Sequence, residues 1–471
     1  MSLSRSAVVD AAAYFESWVT YRQRFDRVPG VQVAILHEDT VVMSSAHGHA
    51  DVERNVALTT SHLFRIASHS KTFTATAIMQ LVELELLRLD DPAGFWLPFL
   101  DSSPLADITI RELLAHGGGV IRDGHDGDFW QLFRSFPDRT ELARICLDDA
   151  LVLGRNERFK YSNIGYSLLG QIIEAATGST YNEHVREHVV DRLGLTNTGP
   201  ELDPARLADY ATGYSSLAYA DHRLPIEHID TGAMASATGF FSTASDVVQY
   251  LAAHFHGDGR LLSDDSKRLM QRTEWKVEGG ETEYGLGFAI QKIGDRRLLG
   301  HGGGYPGHIT RSVFDPVDRL AVSALTNAID GPAQMYATAA VHLIDLAASG
   351  TGAAPSDGID LGTFIGRFAE VWGVYDIALL GGRLYQLDPN APDPAVEPTG
   401  LDVVDANTLR YSKAPGYASP GELIHFQREH DGSIRSVRAS SGGSAHPIGR
   451  IADAVASRER ITLGDPLRPL T

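Results

Sequence analysis

The chain has 471 residues, more than one ordinary core accommodates, so two or three domains are expected. Its 43% hydrophobic and 21% charged residues are ordinary globular composition. A formal net charge of -19 argues against nucleic acid or an anionic membrane surface as a partner, because both require clustered Lys and Arg.

In chain order, Met1 to Arg27 reads as an amphipathic helix carrying Tyr14, Phe15, Trp18, Val19 and Tyr21 rather than as a signal-peptide core. No 18-residue apolar stretch occurs anywhere, so no membrane span is expected and the cytoplasm is the expected location. The apolar runs Val31 to Leu36 and Thr40 to Ser44 flank His37-Glu38-Asp39 and predict a β-hairpin. Lys71 to Leu87 repeats at helical spacing, with Phe73, Ala77, Ile78, Leu81 and Leu84 on one side. From about 85 to 240 helical segments and loops dominate. The clearest helix there is Ile164 to Ala176, with Gly178 as its stop. The one cysteine, Cys146, sits between Ile145 and Leu147 and reads as core filler, and no intrachain disulfide can form.

Strand patterning returns at Gly285 to Ile290, Arg297 to Gly300, Thr310 to Phe314 and Leu320 to Leu325, followed by a helix at about Ala333 to Ala348. Residues 1–350 are therefore expected to form an α/β (α+β) catalytic domain. Helices from both ends enclose an antiparallel sheet, and a helical lobe is inserted at about 85–240. Ala347 to Gly358 is small, polar and Pro/Gly-containing, and places a linker at 351–358. Beyond it, Val374 to Leu379, Arg383 to Leu387, Leu401 to Val404, Thr408 to Tyr411, Leu423 to Gln427 and Ile434 to Ala439 are short strand candidates. Gly381-Gly382 and Asp431-Gly432 are hairpin signals. Residues 359–471 thus predict a small antiparallel barrel or sandwich.

Three motifs carry chemistry. Ser68-His69-Ser70-Lys71 fits S-x-x-K. On a helix, positions i and i+3 share a face, so hydroxyl and amine can meet. A serine alcohol needs a base beside it, and a lysine serves only when desolvation or a neighbouring cation keeps its amine neutral. The same four residues also describe an N-capping serine followed by a surface lysine. Tyr161-Ser162-Asn163 fits Y-x-N just before the Ile164 helix. A phenol near a cation loses its proton more easily and can act as base or relay, while Asn163 can bond both Lys71 and a substrate carbonyl. His301-Gly302-Gly303 follows an apolar strand. Its glycines let a substrate backbone lie against the strand edge, and His301 is placed as a donor near Tyr161 and the leaving group. The N–H groups of Gly304 and Ser68 then make a candidate oxyanion hole, in which one donor is typically worth roughly 10²–10³ in rate. A Gly-rich turn is the structural alternative.

In this order and spacing the motifs resemble those of the class C serine β-lactamases, D-alanyl-D-alanine carboxypeptidases, D-aminopeptidases and related esterases. Leu89-Asp90-Asp91-Pro92, Ile108 to Arg111 with Leu113, Leu114 and His116, Gly239 to Asp246, and Tyr284-Gly285-Leu286-Gly287 share the resemblance, which covers about residues 28 to 346. It implies Ser68 as nucleophile, Lys71 as its activator and Tyr161 as general base and later acid. Asn163 and His301 assist, and Gly302, Gly303 and Gly304 line the substrate edge. It implies an acyl-enzyme on an amide or ester, with D-aminopeptidase- or esterase-like activity, a small-molecule or peptide substrate, and no metal or cofactor. Whether copies of the chain form a homo-oligomer is left open. The β-lactamases and carboxypeptidases usually carry Lys at the position of His301, where it helps bind the substrate carboxylate. A mostly neutral imidazole attracts that group less, which turns the reading away from β-lactams. The C-terminal strands resemble the lipocalin-like barrels of D-aminopeptidase relatives.

Two other enzyme classes compete. His184-Val185-Arg186-Glu187-His188 fits the zinc-peptidase signature H-x-x-E-H, whose histidines share a helix face. No third ligand stands out, and an ordinary surface helix explains the same residues. His116-Gly117-Gly118-Gly119 resembles a lipase oxyanion loop, but the G-x-S-x-G turn that fold needs is absent. A non-catalytic binding relative is the remaining alternative, against which all three motifs stand intact. His308 is open between lining the cleft and packing.

Overall fold

The computed structural model describes residues 3–148, 150–350, 358–413, 419–439 and 442–457. The chain divides into two compact units, Met1–His342 and Leu343–Thr471.

The first unit opens with α1, Arg5–Phe25, which begins where the Ser4 side chain accepts the Ala7 N–H. Phe15, Trp18 and Val19 fill its buried side, as the amphipathic pattern requires. The expected hairpin is β1, Gly30–His37, and β2, Thr40–Asp51, turning through Glu38 at φ 58°. The β3 strand, Val56–Ala57, pairs with β2 at the sheet edge.

The remaining strands of this sheet lie more than 200 residues later. They are β4 (Trp275–Lys276), β5 (Glu283–Tyr284), β6 (Ala289–Ile293), β7 (Arg296–Tyr305), β8 (His308–Asp315) and β9 (Leu320–Thr326). The order is β3-β2-β1-β9-β8-β7-β6-β5-β4, antiparallel throughout. Every residue of β1 and β9 is buried, because these central strands are covered on both faces.

Between β3 and β4 the chain forms the helical lobe. Its main helices are α2 (Ser70–Glu83) and α3 (Asn163–Thr177), while the later α4 (Ala244–Ala252) packs on β1 and β9 of the sheet. Phe73 on α2 stacks on Phe240 and Tyr250 at 4.2 and 3.7 Å between ring centroids, which locks the helix among its neighbours. It stops at Glu83, short of the expected Leu87, because Glu85 takes φ 57°. By contrast α3 ends as expected, with Gly178 at φ 74°.

Two strand expectations need correction. Gly285 to Gly287 is not strand. It is an irregular crossing between β5 and β6, with Gly287 at φ 87° and so close to α2 that a Cβ there would meet Ala75 Cβ at 2.3 Å. The β7 strand runs on past Gly300 to Tyr305, so His301, Gly302 and Gly303 lie within a strand, not in a turn. The turn comes at Pro306 and Gly307.

The last helix, α5, spans Ala333–Gly350. Ala347 to Gly350, the start of the small, polar stretch, are therefore helical, and residues 351–357 of the expected linker lie outside the described residues. The second unit is a closed eight-stranded antiparallel barrel. All six expected strands are present, joined by Gly366–Glu370 and Ser444–Pro447, which close the barrel through only two residue pairs. Two strands this short leave no alternation to read. Phe364, Phe368, Ile377, Leu384, Leu409 and Phe426 are among its core. Gly381 and Gly382 both have positive φ, the conformation of a tight hairpin turn.

Among the described residues, no helix is long and apolar enough to cross a membrane.

Candidate active site

Ser68 sits in a short 3-10 turn, Ala67–His69, that leads into α2. The residue before it, Ala67, takes φ 45°, a left-handed conformation that costs a non-glycine residue about 1–2 kcal/mol. The surroundings hold it there. Ser70 Oγ donates to Ala67 O at 2.5 Å and accepts the Phe240 N–H at 3.0 Å. His69 lies beneath the turn. Its Nδ1 faces Ile66 O and its Nε2 faces Ser312 Oγ, each at 3.0 Å, which pins the serine segment to β8. Since Ile66 O only accepts, His69 carries its proton on Nδ1.

Lys71 is fully buried one helical turn after Ser68. Its Nζ lies 2.7 Å from Asn163 Oδ1, 2.8 Å from Ala237 O and 3.3 Å from Ser68 Oγ. Burial holds the ammonium pKa well below the usual lysine range. Asp123 pulls the other way and Arg122 reinforces the fall.

Tyr161 Oη donates to Ser68 Oγ at 2.9 Å, so phenol and amine meet on one oxygen. Lys71 Nζ lies 4.8 Å and the Arg122 guanidinium 5.2 Å from the centroid of the Tyr161 ring. The Arg122 guanidinium does ease loss of its proton, as a nearby cation should, but the effect is outweighed. Desolvation dominates and pushes the phenol above its usual range, so Tyr161 stays protonated.

The loop after His116 clasps the Y-x-N segment. Ser162 N–H donates to His116 Nδ1 at 3.1 Å, and Asn163 N–H to Arg122 O at 2.9 Å. Ser162 Oγ then caps α3 by accepting the Gly165 N–H. Asn163 Nδ2 donates to Asp123 Oδ1 at 2.6 Å. Asn163 therefore bridges Lys71 and Asp123, and the second hydrogen of its amide nitrogen is left over from the bond to Asp123. Arg122 and Asp123 were missed by sequence reasoning, because they reach the site through a loop and nothing in their local pattern marks them. Tyr284, at the end of β5, was noted only as part of the family resemblance and not as a site residue.

The β7 strand supplies the opposite wall. The pair Tyr305↔His308 closes a two-residue hairpin, so Gly303 and His301 bond to β8 while Gly302 and Gly304 turn their backbone groups away from it. The β6 strand ends at Ala289, opposite Gly300, which leaves the Gly302 and Gly304 edge uncovered by a strand. Gly303 presses on the serine segment: a Cβ there would meet Ile66 O at 2.2 Å. His301 shares its face. Its Nδ1 lies 2.6 Å from Gly302 O, and Nε2 is left to accept the Tyr284 hydroxyl at 3.2 Å. Its ring is 6.4 Å from that of Tyr161, and burial holds it neutral, with Lys71 adding to the effect.

Other candidates stay apart. His184 and His188 pack ring to ring at 4.4 Å, where the helix becomes π-helical over Arg186–Val190. Among the described residues, no group of three His, Cys, Asp or Glu is placed to hold a metal, so the zinc-peptidase pattern has no third ligand. His308 is buried against Phe64 and His228, and packing is its role. Cys146 is buried core, its thiol pushed up to about 12 by desolvation.

A sequence profile of the family described as Beta-lactamase matches residues 15–346. Penicillin-binding protein 4* of Bacillus subtilis (strain 168) is 29% identical over 289 residues, which are 58% of this chain and 62% of that protein. The chain thus spans less than two thirds of that relative's length. The octameric penicillin-binding protein homologue from Pyrococcus abyssi superposes with a TM-score of 0.64 at 22% identity, over 92% of this chain and 99% of its own. The D-amino acid amidase from Ochrobactrum anthropi SV3 gives 0.59 at 26% identity, over 71% of this chain and 98% of its own.

Proposed function

The chain belongs to the beta-lactamase family of serine hydrolases, and on that premise we propose that it cleaves an amide or ester through an acyl-enzyme on Ser68. The observation that carries this reading is the meeting of a desolvated amine and a protonated phenol on Ser68 Oγ.

A neutral Lys71 has two hydrogens and one lone pair. Asn163 Oδ1 and Ala237 O can only accept, so they take the hydrogens and the lone pair is left for the serine hydroxyl. Lys71 then removes the Ser68 proton as Oγ attacks the carbonyl. The N–H groups of Ser68 and Gly304 face the developing oxyanion. Tyr161, still protonated, supplies a proton to the departing group. Water then attacks the ester in the reverse sense, with Tyr161 and Lys71 exchanging roles as acid and base.

The substrate is a small molecule or short peptide, handled as in D-aminopeptidases or esterases. A β-lactamase or D,D-carboxypeptidase reading is second, because the neutral His301 offers no charge to a substrate carboxylate. Side-by-side assays with short-chain esters, D-aminoacyl amides and nitrocefin separate these readings.

The decisive experiment is Ser68→Ala. It should abolish p-nitrophenyl acetate hydrolysis and labelling by a serine-reactive phosphonate. A variant that turns over like the parent removes the assignment, and a parent that resists labelling makes the chain a binding relative.

A further inference from the structure

One face of β7 runs across the serine segment in the opposite sense. Along the strand, His301 lies beside His69, at 6.2 Å between ring centroids, and Gly303 presses on Ile66 O. The Tyr305 ring then lies against the Arg65 guanidinium, whose carbon is 4.5 Å from the ring centroid. Positions 301, 303 and 305 share a strand face, so these contacts form one row. Gly304 falls between the contacts at Ile66 and Arg65, and Ser68 between those at His69 and Ile66. The two N–H groups assigned to the oxyanion thus belong to separate segments, and their spacing depends on how those segments are held together.

The contact at Arg65 is the one built from charge. Arg65 ends the two-residue strand Phe64–Arg65, which pairs with Phe241–Ser242, and it is fully buried. Its guanidinium donates from Nη2 to Glu201 Oε1 at 2.8 Å and from Nη1 to Ile229 O at 3.2 Å. Tyr305 Oη donates to the same carbonyl and accepts the Ile229 N–H, both at 2.9 Å. Glu201 Oε2 accepts the Thr231 N–H at 3.0 Å and also the Thr231 hydroxyl. Arg65, Glu201, Thr231, Ile229 and Tyr305 therefore close a ring of contacts around the end of β7.

We propose that Arg65 is a positioning residue that sets the spacing of the two oxyanion donors, by tying the strand that leads into Ser68 to the residue that follows Gly304. This deepens the acyl-enzyme reading and rests on it. Stability does not account for the ion pair. Desolvation of two buried charges offsets their attraction, and apolar residues of similar volume would fill the same space without that penalty. What the pair adds is orientation. Glu201 holds the edge of the guanidinium, so its flat face stays on the Tyr305 ring, an arrangement that a lysine cannot reproduce. The left-handed turn at Ala67 carries the constraint to Ser68, because Arg65 anchors its leading side and Ser70 its trailing side.

The test compares p-nitrophenyl acetate with its thionoester, in which sulfur replaces the carbonyl oxygen. The two share an acyl chain, a departing group and the proton transfers of Lys71 and Tyr161. They differ in the atom that enters the oxyanion site, where sulfur is the larger atom and the weaker acceptor. The parent should favour the oxygen ester. Arg65→Lys keeps a cation for Glu201 and removes the flat face. Its ratio of kcat/KM for oxygen over sulfur ester should fall roughly 10-fold, part of the 10²–10³ typical of one oxyanion donor. Tyr305→Leu keeps the ion pair and removes the ring, and its ratio should fall to a similar value. The double variant should fall no further, because either change breaks the same contact. An unfolded fraction cancels in the ratio, so a loss of stability alone leaves it unmoved. No preference in the parent, or an unchanged ratio in the single variants, overturns the positioning role. So does a double variant whose fall is the product of the two single falls. Phosphonate labelling of Ser68 in the parent reports on the acyl-enzyme separately. A parent that labels while the variants keep its ratio loses only the role of Arg65, and a parent that resists labelling loses the reading beneath it.

Discussion

Lys71 Nζ lies closer to Asn163 Oδ1, at 2.7 Å, than to Ser68 Oγ, at 3.3 Å. Asn163 thus fixes where the amine sits and which of its orbitals faces the serine. Asp123 in turn fixes Asn163 through a 2.6 Å bond. The amine is oriented by a side chain 92 residues away, and that side chain by a loop carboxylate.

Replacing Tyr161 with Phe keeps the ring beside Lys71 and Arg122 but removes the hydroxyl that bonds Ser68 Oγ. Loss of a positioned proton donor typically costs roughly 10²–10⁴ in rate. The expected result is a fall of that size in kcat with KM little changed, the mark of an interaction made in the transition state. Steady-state kinetics on p-nitrophenyl acetate check it, and an equal rise in KM alone would assign the phenol to binding instead.

Asp123→Asn preserves an acceptor for Asn163 Nδ2 while removing a negative charge that favours the Lys71 cation. The sign follows directly. Without that charge the ammonium is less stable, so its pKa falls further. If Lys71 acts as a neutral base, the acidic limb of kcat/KM against pH should move to lower pH. A limb that stays in place, or moves up, shows that another group controls it.

Buried histidines should make the protein acid-sensitive. Burial holds His69 down to about 4 and His254 down to about 3, against about 6.5 in an unfolded chain. Below about 6.5 the unfolded chain binds protons that the native state does not. Stability should therefore be full above that pH and fall as pH drops, the His69 contribution levelling off at about 4 and that of His254 at about 3. Each residue adds up to ~1.4 kcal/mol per pH unit within its window. Urea midpoints between pH 7 and pH 4 measure the slope, and a flat profile contradicts the burial of these rings.

Much of this was legible in the chain itself. Helical periodicity located α1, α3 and α5, because burial of one face leaves a repeat in the residues, and apolar runs located the central strands, which are buried on both faces. The four residues from Ser68 to Lys71 also carry their own geometry, since i and i+3 meet on any helix. The Y-x-N and H-G-G segments were readable as motifs. Only the fold brought Tyr161 Oη to the serine oxygen, across 93 residues of chain.

Other features left no trace in the sequence. Gly285 to Gly287 looked like strand because apolar residues flank the glycines, yet contact with α2 bends it out of the sheet. The protonation of Tyr161 depends on how completely its surroundings exclude water, which neighbouring residues in sequence do not specify. Asp123 is an ordinary charge in its local sequence. It acquires meaning because a loop brings it to Asn163. Periodicity records which side of an element is buried. Distances between residues far apart in the chain, and the charge states those distances impose, exist only once the elements have packed.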